Sequence, residues 1–562
     1  MIRDLDTTEL EELPEYDLCI VGSGPAAGTL AAELATSGLA ICVLESGKER
    51  VTRHGDRLRE VRSEGIHIKE YSRERVLGGS STTWAGLSSP LDAIDMEARP
   101  FLAHSGWPIE RDELLPFWEA AADSYRFPHL DFFNGHADFD ELKAKGDLRP
   151  EWRDVQEKLF LAAVEPQNFG VEIRDIYVDG AVDLWLDATV LRLECEPGNS
   201  RVDHALIRSC SGRQQKLKAK VFVLGTGGIE NARLLLLSQN KCSEGLGNER
   251  DQVGRYLMNH PKNYNGILEL AKPVEDLPYF FGCIYKGFAG YAGLRLPDEK
   301  QFEEEVMNSY VRFEPLFPWS DNDGIESMVL LAKKCKFIMK RFQKGKQDEV
   351  IDIRDYSETG DDSDFQNERK TTLGWIGLFV RILVNLPSVS QYLYFRLISR
   401  KKPLIKRVRL RNFMEMEPRP DNRVVLSEEL DVNGTPLALV QHDSSERDRK
   451  SMVQLHAALG SECDRLDLGT LNTALKGESP WPITQDASHH MGSTRMGNDP
   501  STSVVDANLK LHTADNLYIT GASVFPTSGC ANPTFTIVAL SIRLARHLQQ
   551  DVFVNSSARI NS

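Results

Sequence analysis

The sequence lacks the paired cysteines on which metal clusters are usually built. Its nine cysteines stand singly along 562 residues, and no two of them form a CxxC pair. Structural zinc sites and iron–sulfur clusters use closely spaced cysteines, so neither is expected and no metal ligand is predicted. An odd number of cysteines without a pattern is typical of reduced thiols, which predicts a cytoplasmic protein.

An excess of positive charge and a leader sequence are missing as well. Against 67 lysines and arginines the chain has 83 aspartates and glutamates, and its formal net charge of −16 argues against a nucleic-acid partner. The first residues, MIRDLDTTELEELPEYD, are acidic and include no apolar stretch of the kind found in secretory signals. We therefore expect neither nucleic-acid binding nor secretion.

Long hydrophobic runs are also absent. The most apolar stretch, LGWIGLFVRILV at 373–384, is interrupted by Arg381 and is too short to span a bilayer. A basic run, Arg400-Lys401-Lys402, follows it. The pattern favours a buried helix or a lid helix, and no membrane partner is expected. The alternative is a helix that lies on a membrane or on a partner.

What the sequence does contain is a dinucleotide-binding pattern near its start. Residues 17–46, DLCIVGSGPAAGTLAAELATSGLAICVLES, have the order strand, glycine-rich turn, helix, strand. Gly22 permits the tight turn, Gly24 lets a pyrophosphate approach the backbone, and Gly28 lets the helix pack closely on the strand. The N–H groups at the helix start would then face the phosphates.

An acidic residue closes this unit. Glu45 ends the second strand, where a carboxylate can accept both hydrogen bonds of a ribose diol, and Ser46 follows it. Because a carboxylate there disfavours a 2′-phosphate, the pattern favours FAD or NAD over NADP. At this length one hydrophobic core no longer suffices, so two or more domains are expected.

The middle of the chain predicts strands and one mobile loop. Strands are indicated at Leu184–Cys195 and Lys216–Leu224, before a turn that begins at Gly225. Further strands are indicated, around an Asn433-Gly434 hairpin turn, at 408–416, 422–426 and 436–441. We expect them to form an antiparallel sheet on one wall of a pocket. Residues 344–371 are too polar to offset their ordering entropy, which predicts a mobile loop.

The C-terminal part carries the residues with the clearest chemistry. His489 and His490 stand in SHHMGSTRMG, and the last apolar strand turns at Gly521-Ala522. Asn532-Pro533-Thr534 then begins a long apolar helix. The start of that helix carries partial positive charge, which suits the negative charge of a reduced flavin.

These segments together resemble the GMC (glucose–methanol–choline) oxidoreductases, in particular the sugar-oxidising members such as pyranose oxidase and the glycoside 3-oxidases and dehydrogenases. GGSSTTWAG resembles the second flavin-contacting motif of the family, and GRYLMNHP resembles the segment that leads into the substrate domain. SHHMGSTRMG and NPTFTIVALSIRLARHL resemble the C-terminal signature. The resemblance implies an FAD enzyme.

The resemblance also implies roles for single residues. His489 and Asn532 correspond to the family's catalytic pair, and Val190 to the residue that contacts the adenine. Thr83 stands where pyranose oxidases often have a histidine bonded to the flavin, so FAD is expected to bind without a covalent bond. The implied flavin contacts also include Gly78, Gly79, Ser80, Gly521, Ala522, Pro533 and Thr534.

Other roles for these residues stay open at this point. His490 is a rival for the base, and Asn532 could serve only as the N-cap of its helix. His260 and His512 are assigned structural or exposed positions.

The implied fold class is α/β, with a Rossmann-like FAD-binding domain and an α+β substrate domain that contains an antiparallel sheet, as in p-hydroxybenzoate hydroxylase. The FAD-binding domain is expected at 1–100, 180–264 and 490–562, and the substrate domain at 101–179 and 265–489.

The implied reaction is oxidation of a secondary alcohol of a sugar or glycoside to a ketone. His489 would remove the hydroxyl proton while hydride passes to flavin N5, and oxygen or another acceptor would take the electrons. Alternatives are a non-sugar or amino-sugar alcohol, hydroxynitrile lyase chemistry without net redox change, and a flavoprotein that acts as a binding or electron-transfer partner. A homo-oligomer is one option for the assembly.

Overall fold

The structure is a computed structural model, and it describes most of the chain. The described residues are 1–69, 72–133, 150–196, 200–275, 277, 283–285, 287–317, 319–320, 322–334, 372–399, 404–475, 481 and 488–553. The loop predicted at 344–371 lies outside them.

The strands fall into three sheets. In chain order they are β1 Ile2–Asp4, β2 Tyr16–Val21, β3 Ile41–Leu44, β4 Arg62–Gly65, β5 Gln156–Ala163, β6 Asp183–Leu186, β7 Thr189–Cys195, β8 Val202–Arg208, β9 Gln214–Leu224, β10 Lys262–Asn263, β11 Ile267–Val274, β12 Cys283–Tyr285, β13 Phe288–Arg295, β14 Tyr310–Leu316, β15 Ile405–Phe413, β16 Arg423–Leu430, β17 Pro436–His442, β18 Gly469–Asn472 and β19 Leu517–Ile519.

The α-helices lie between and around these sheets. They span Pro25–Leu34, Arg53–Leu58, Ala93–Met96, Arg111–Tyr125, Phe169–Glu172, Arg174–Val178, Glu230–Leu237, Asp298–Glu304, Asp323–Lys334, Thr372–Val384, Leu386–Tyr394, Glu446–Arg465 and Thr534–His547.

The first sheet is the nucleotide-binding sheet that the glycine-rich unit predicts. Its order is β1-β6-β3-β2-β9-β8-β7, with β19 beside β9. The neighbours β1, β6, β3, β2 and β9 pair in parallel, and β19 is parallel to β9. At the other edge β8 pairs antiparallel with β9, and β7 antiparallel with β8. Helix Pro25–Leu34 connects β2 to β3, and its Ala27, Leu30 and Ala31 are buried in the same core as both strands. The Rossmann-like prediction is therefore confirmed.

The second sheet is antiparallel, as the substrate part was expected to be. Its order is β12-β13-β14-β15-β11-β18, with β5 on β13 and β10 on β15. One face packs on helix Glu446–Arg465, whose Met452, Leu455 and Leu459 share a core with the apolar residues of β11, β14 and β15. The other face carries Tyr310 on β14 directly opposite Phe413 on β15. The predicted fold class is thus confirmed.

Two of the predicted strand assignments were wrong in detail. The strands predicted at 422–426 and 436–441 are β16 and β17, and they form a separate three-stranded sheet with β4 instead of joining the strand predicted at 408–416. Asp431 and Thr435, in the hairpin between β16 and β17, still line a cavity. The hairpin at Asn433-Gly434 pairs β16 with β17, and the other edge of β17 is taken by β4 in parallel. The strand predicted at 184–195 is broken into β6 and β7 by Asp187, whose φ of 54° interrupts extended backbone.

The apolar stretch at 373–384 forms a helix that is not buried. Helix Thr372–Val384 exposes Ile376, Phe379 and Leu383, although Leu378 is buried. The expectation of a buried helix was therefore wrong, because the apolar residues surround the helix and only one side packs on the protein. Among the described residues no single helix is long and apolar enough to cross a membrane, and one bent pair, 376–384 with 386–399, meets the length and composition only when taken together.

A fully buried ion pair ties the N-terminal half of the chain to the second sheet. Arg99 and Glu415 have no exposed side-chain surface, and their two hydrogen bonds measure 3.0 and 2.6 Å. Glu415 also accepts the backbone N–H of Asn308 at 2.7 Å. Burial alone would raise the pKa of Glu415, but Arg99 outweighs burial and lowers it.

We predict that Arg99→Met lowers the free energy of unfolding by about 3–5 kcal/mol, because it leaves the Glu415 carboxylate buried without its cation. Denaturant unfolding measures the loss. The matched control is Arg174→Met, which removes a half-exposed pair with Glu49 and should cost about 1 kcal/mol or less. The double variant Arg99→Met with Glu415→Leu should recover most of the stability. Equal losses for Arg99→Met and Arg174→Met would contradict the prediction.

Candidate active site

One cavity extends from the carboxyl ends of β2 and β3 to the second sheet. Most of the residues that the sequence singles out line it: Gly22, Gly24, Glu45, Ser46, Gly79, Ser80, Thr83, Val190, Gly225, His489, Gly521, Ala522, Asn532, Pro533 and Thr534. His490, the rival base, lines it too. Gly28 and Gly78 are not among the lining residues.

The glycine-rich turn forms a close-fitting cradle at one end of the cavity. Gly22 has a φ of +102°, and a Cβ there would lie 2.7 Å from the carbonyl oxygen of Gly225. Gly24 is different, because its Cβ position has no atom nearer than 3.9 Å and opens on the cavity. Gly24 is also the N-cap of helix Pro25–Leu34, so the unbonded N–H groups of that helix start at the cavity.

Gly28 and Gly78 pack against the glycine-rich turn on the side away from the cavity. A Cβ on Gly28 would lie 2.8 Å from Cδ1 of Ile173, so the glycine admits a neighbouring helix and not the strand that the sequence analysis named. Gly78 has a φ of +92° and donates its N–H to Ser23 Oγ at 3.1 Å. Both glycines thus shape the turn without facing the cavity.

Glu45 lies at the end of β3, where the ribose acceptor is predicted. Its carboxylate accepts hydrogen bonds from the Ser23 hydroxyl and from the backbone N–H of Gly47, the latter at 2.7 Å. Burial raises the pKa of Glu45, and these hydrogen bonds act against that rise. The side chain is held in one orientation at the cavity wall.

At the other end of the cavity Asn532 faces His489. The Asn532 Nδ2 lies 3.5 Å from His489 Nε2. Helix Thr534–His547 has Pro533 as its N-cap and no side-chain capping hydrogen bond. Asn532 therefore does not serve as the cap of that helix, and its amide is directed into the cavity beside the histidine.

Residues 258–260 are hydrogen-bonded to the segment that contains His489. Met258 and Met491 exchange two backbone hydrogen bonds of 2.9 Å. The Asn259 side chain accepts the backbone N–H of both His260 and His489, at 2.9 and 3.2 Å. GRYLMNHP and SHHMGSTRMG, which are far apart in sequence, are thus adjacent in the fold.

His260 is the functional residue that the sequence analysis missed. It was assigned a structural or exposed position, whereas its Nδ1 lies 2.9 Å from His489 Nδ1 and the two rings are perpendicular. Its Nε2 lies 2.8 Å from the carbonyl oxygen of Gly529. The only sequence clue was its place in the GRYLMNHP segment, since nothing in that segment indicates contact with a histidine more than two hundred residues later.

These contacts fix the proton positions on both rings. A carbonyl oxygen only accepts, so His260 Nε2 carries the hydrogen. Burial lowers the pKa of His260 to about 4, and the ring is therefore neutral at pH 7 with a lone pair on Nδ1. His489 Nδ1 must then donate to it. In neutral His489 the remaining nitrogen, Nε2, has no hydrogen and can accept a proton.

His490 occupies a different position. Its backbone carbonyl is packed so tightly on Gly228 that a Cβ there would lie 2.0 Å from the oxygen. The ring is buried and lines the cavity. The hydrogen-bond contacts with His260 and Asn532 are made by the ring of His489.

The second sheet closes the histidine end of the cavity with aromatic and basic side chains. The Tyr310 and Phe413 rings stack at 4.6 Å. Arg312 stands directly opposite Arg411 on the neighbouring strand, and both guanidinium groups contact the carboxylate of Glu314. Burial acts to raise the pKa of Glu314, but the arginines outweigh it and lower the pKa to about 2. Lys262 and Tyr291 complete this wall.

Comparison with known proteins points to one family. Residues 418–541 match the model of the GMC oxidoreductases. The chain is 33% identical over 153 residues to 6'''-hydroxyparomomycin C oxidase of Streptomyces lividus, over 27% of each chain. It is 29% identical over 150 residues to C-glycoside 3-oxidase of Microbacterium trichothecenolyticum, over 25% of this chain and 27% of the relative. Its fold is similar to that of formate oxidase from Aspergillus oryzae RIB40, with a TM-score of 0.55 and 14% identity over 97% of this chain and 99% of the other.

The extent of these matches differs between sequence and structure. The matched segments cover 27%, 29% and 54% of the first curated relatives, so the chain spans about a quarter to a half of their length. At 14% identity the structural likeness shows the fold alone. The family match therefore rests on the C-terminal region, residues 418–541.

FAD is the cofactor of this family, and the residues of the cavity fit it. Gly22 and Gly24 leave room for a pyrophosphate against the backbone, and Glu45 offers oxygens for a ribose diol. The positive end of helix Thr534–His547 opens on the cavity at Pro533 and Thr534, which suits the electron-rich edge of a reduced flavin.

We predict that Gly22→Ala yields protein with roughly a tenth or less of the bound FAD. The added Cβ would sit 2.7 Å from the Gly225 carbonyl at a φ that costs L-residues about 1–2 kcal/mol. Flavin absorbance of the purified protein measures the effect. Gly38→Ala is the matched control, since Gly38 also has a positive φ but has no atom within 4 Å of the Cβ position. Full FAD content in Gly22→Ala would contradict the prediction.

Proposed function

We propose that this chain, whose C-terminal region matches the GMC oxidoreductases, is an FAD-dependent enzyme that oxidises a secondary alcohol of a sugar or glycoside to a ketone. The observation that carries this proposal is the 3.5 Å distance between the Asn532 amide and His489 Nε2, the nitrogen without hydrogen when neutral His489 donates from Nδ1 to His260. That pair offers one proton acceptor and one hydrogen-bond donor to a single substrate oxygen.

Alcohol oxidation needs both groups. The C–H bond gives up hydride readily only when the hydroxyl proton leaves, because hydride loss from the intact alcohol would leave a protonated carbonyl with positive charge on the oxygen. His489 Nε2 accepts that proton, and Asn532 donates its amide N–H to the same oxygen. FAD, when bound, supplies the hydride acceptor. Thr83 at the cavity wall supports binding of FAD without a covalent bond.

His260 fixes the position of the hydrogen on the His489 ring. By accepting from His489 Nδ1 it holds the hydrogen on the nitrogen that points away from the substrate. Once His489 has taken the proton, the same hydrogen bond stabilises the imidazolium. His260 is therefore a positioning residue.

The substrate class rests on the walls of the site and on the relatives. Stacked aromatic rings at Tyr310 and Phe413 offer a flat apolar surface for a sugar ring. The two relatives act, by their names, on an aminoglycoside and on a C-glycoside. Lys262, Arg312 and Arg411 line the same wall, and positive charge there is unfavourable for a substrate ammonium group. We therefore favour a glycoside without amino groups.

The first test is anaerobic flavin absorbance with a panel of glycosides, amino glycosides and simple alcohols. We expect the oxidised flavin band to bleach with a glycoside, and faster than with its amino analogue, because His489 and Asn532 act on a hydroxyl and the wall repels an ammonium group. Admission of air then distinguishes an oxidase, which recolours rapidly, from a dehydrogenase. A flavin that stays oxidised with every alcohol would contradict the proposal and favour lyase chemistry or an electron-transfer partner.

His489→Ala should retain FAD but reduce the rate of flavin bleaching by roughly a hundredfold or more, because it removes the ring nitrogen that lies beside the Asn532 amide. Asn532→Ala should also slow bleaching while leaving the unfolding midpoint unchanged, since the side chain does not cap the helix. Stopped-flow absorbance measures the rates. His490→Ala is the control for the adjacent histidine, and a larger loss in that variant than in His489→Ala would reassign the base.

His260→Phe should lower kcat roughly tenfold or more with little change in KM, because His489 loses the acceptor that fixes its proton position. The pH dependence of flavin reduction should shift as well, which a purely structural role would not cause. His260→Gln is the conservative variant, since its amide can donate to Gly529 and accept from His489, and it should recover part of the rate. Identical kinetics and pH profiles in wild type and His260→Phe would rule out this role.

A further inference from the structure

A surface outside the active site carries apolar side chains in a regular outward pattern. On helix Thr372–Val384 the exposed fractions are 59% for Ile376, 56% for Phe379, 50% for Val380 and 66% for Leu383. The spacing of three, four and seven residues from Ile376 places all four on one side of the helix. An apolar stripe with this spacing normally faces a protein core, but here it faces outward.

The next helical segment continues the same surface. After the bend at Asn385, Leu386 is 53% exposed, and Tyr394, Leu397 and Ile398 are 53%, 57% and 68% exposed. The last three again follow a spacing of three and four residues. We call the exposed apolar side chains between 376 and 398 the apolar hairpin face.

The opposite side of the hairpin is already packed on the protein. Leu378 and Val389 are 6% and 3% exposed. The Asn385 side chain accepts a hydrogen bond of 3.2 Å from Asn322, just before helix Asp323–Lys334. The Phe395 ring lies 5.0 Å from that of Trp319. The inner side thus holds the hairpin in place, while the apolar hairpin face is exposed in the described part of the chain.

The charge of this segment differs from that of the rest of the chain. From 372 to 407 the sequence contains no aspartate or glutamate, whereas it contains seven lysines and arginines. Arg409 and Arg411, further along, contact Glu314 in the second sheet and are not counted. The chain as a whole has a net charge of −16. Lys406 and Arg407, both exposed, follow the hairpin closely, and Arg407 pairs with Glu269. An apolar surface beside concentrated basic charge is complementary to anionic lipid headgroups over acyl chains.

We propose that the apolar hairpin face lies on an anionic lipid bilayer, as an interfacial anchor that does not cross it. The two helices meet at a bend of 79°, and neither alone is long enough to span. Exposed apolar residues enter the boundary between headgroups and acyl chains, while the basic residues contact the headgroups. A second copy of the chain is the rival occupant, since a twofold interface would bury the same apolar face of both copies.

The test is flotation of the FAD-loaded protein with vesicles of phosphatidylcholine and phosphatidylglycerol, mixed at about 7:3, and with vesicles of phosphatidylcholine alone. Wild type should float with the anionic vesicles, less with the neutral ones, and less again as salt is raised. The double variant Leu383→Glu with Ile398→Glu should reduce the floated fraction roughly tenfold or more, because it places two carboxylates in the apolar layer.

The matched control carries the same two charges elsewhere. Val171 and Val178 are 67% and 60% exposed on helices beside the first sheet, and Val171→Glu with Val178→Glu should float like wild type. A neutral pair, Leu383→Ser with Ile398→Ser, checks the effect without added charge, and thermal unfolding with FAD content shows that each variant folds.

Three results would overturn the proposal. In the first, wild type stays in the aqueous fraction with anionic vesicles. In the second, both hairpin variants float as wild type does. In the third, wild type forms a concentration-dependent dimer that the hairpin variants disperse, which would assign the face to a second copy. None of these results bears on flavin reduction by alcohols. The membrane proposal and the proposed reaction are therefore tested independently.

Discussion

The hydrogen bond between the rings of His260 and His489 is the contact on which the rest of the site depends. It joins two segments that are distant in sequence, and it sets which nitrogen of His489 can take a proton. Its direction follows from a single carbonyl, that of Gly529, which can only accept. The placement of one backbone oxygen thus determines which nitrogen of a neutral His489 ring is left to accept a proton.

The surroundings of His260 keep that arrangement stable. Gly529 has a φ of +55°, and Asp95 packs so closely on it that a Cβ would lie 2.5 Å from the carboxylate. Burial, with Asp92 and Glu415 nearby, raises the pKa of Asp95 to about 7. The buried Arg99–Glu415 pair lies in the same cluster, since Asn308 contacts both Glu415 and Asp95. Stability and proton placement therefore rely on one buried polar network.

The sequence was informative where local chemistry dictates structure. Gly22 needs a backbone with positive φ, Gly24 leaves open space at the cavity, and Glu45 directly follows a strand, so the strand-turn-helix-strand unit could be predicted from local sequence. His260 and Arg312 could not be, because their roles come from pairing between distant segments that no local pattern encodes. The stretch at 373–384 shows a third case, since its apolar composition was clear but the side that packs on the protein depends on helix Asp323–Lys334.

The wall of the second sheet shows why such residues escape sequence rules. Like charges directly opposite each other on neighbouring strands are unfavourable, yet Arg312 faces Arg411 in the interior. Glu314 relieves part of this repulsion by contacting both. Residues that violate a local rule in an otherwise consistent fold tend to mark functional positions. The two arginines line the cavity wall beside stacked Tyr310 and Phe413, so the pair that breaks the local rule also borders the site.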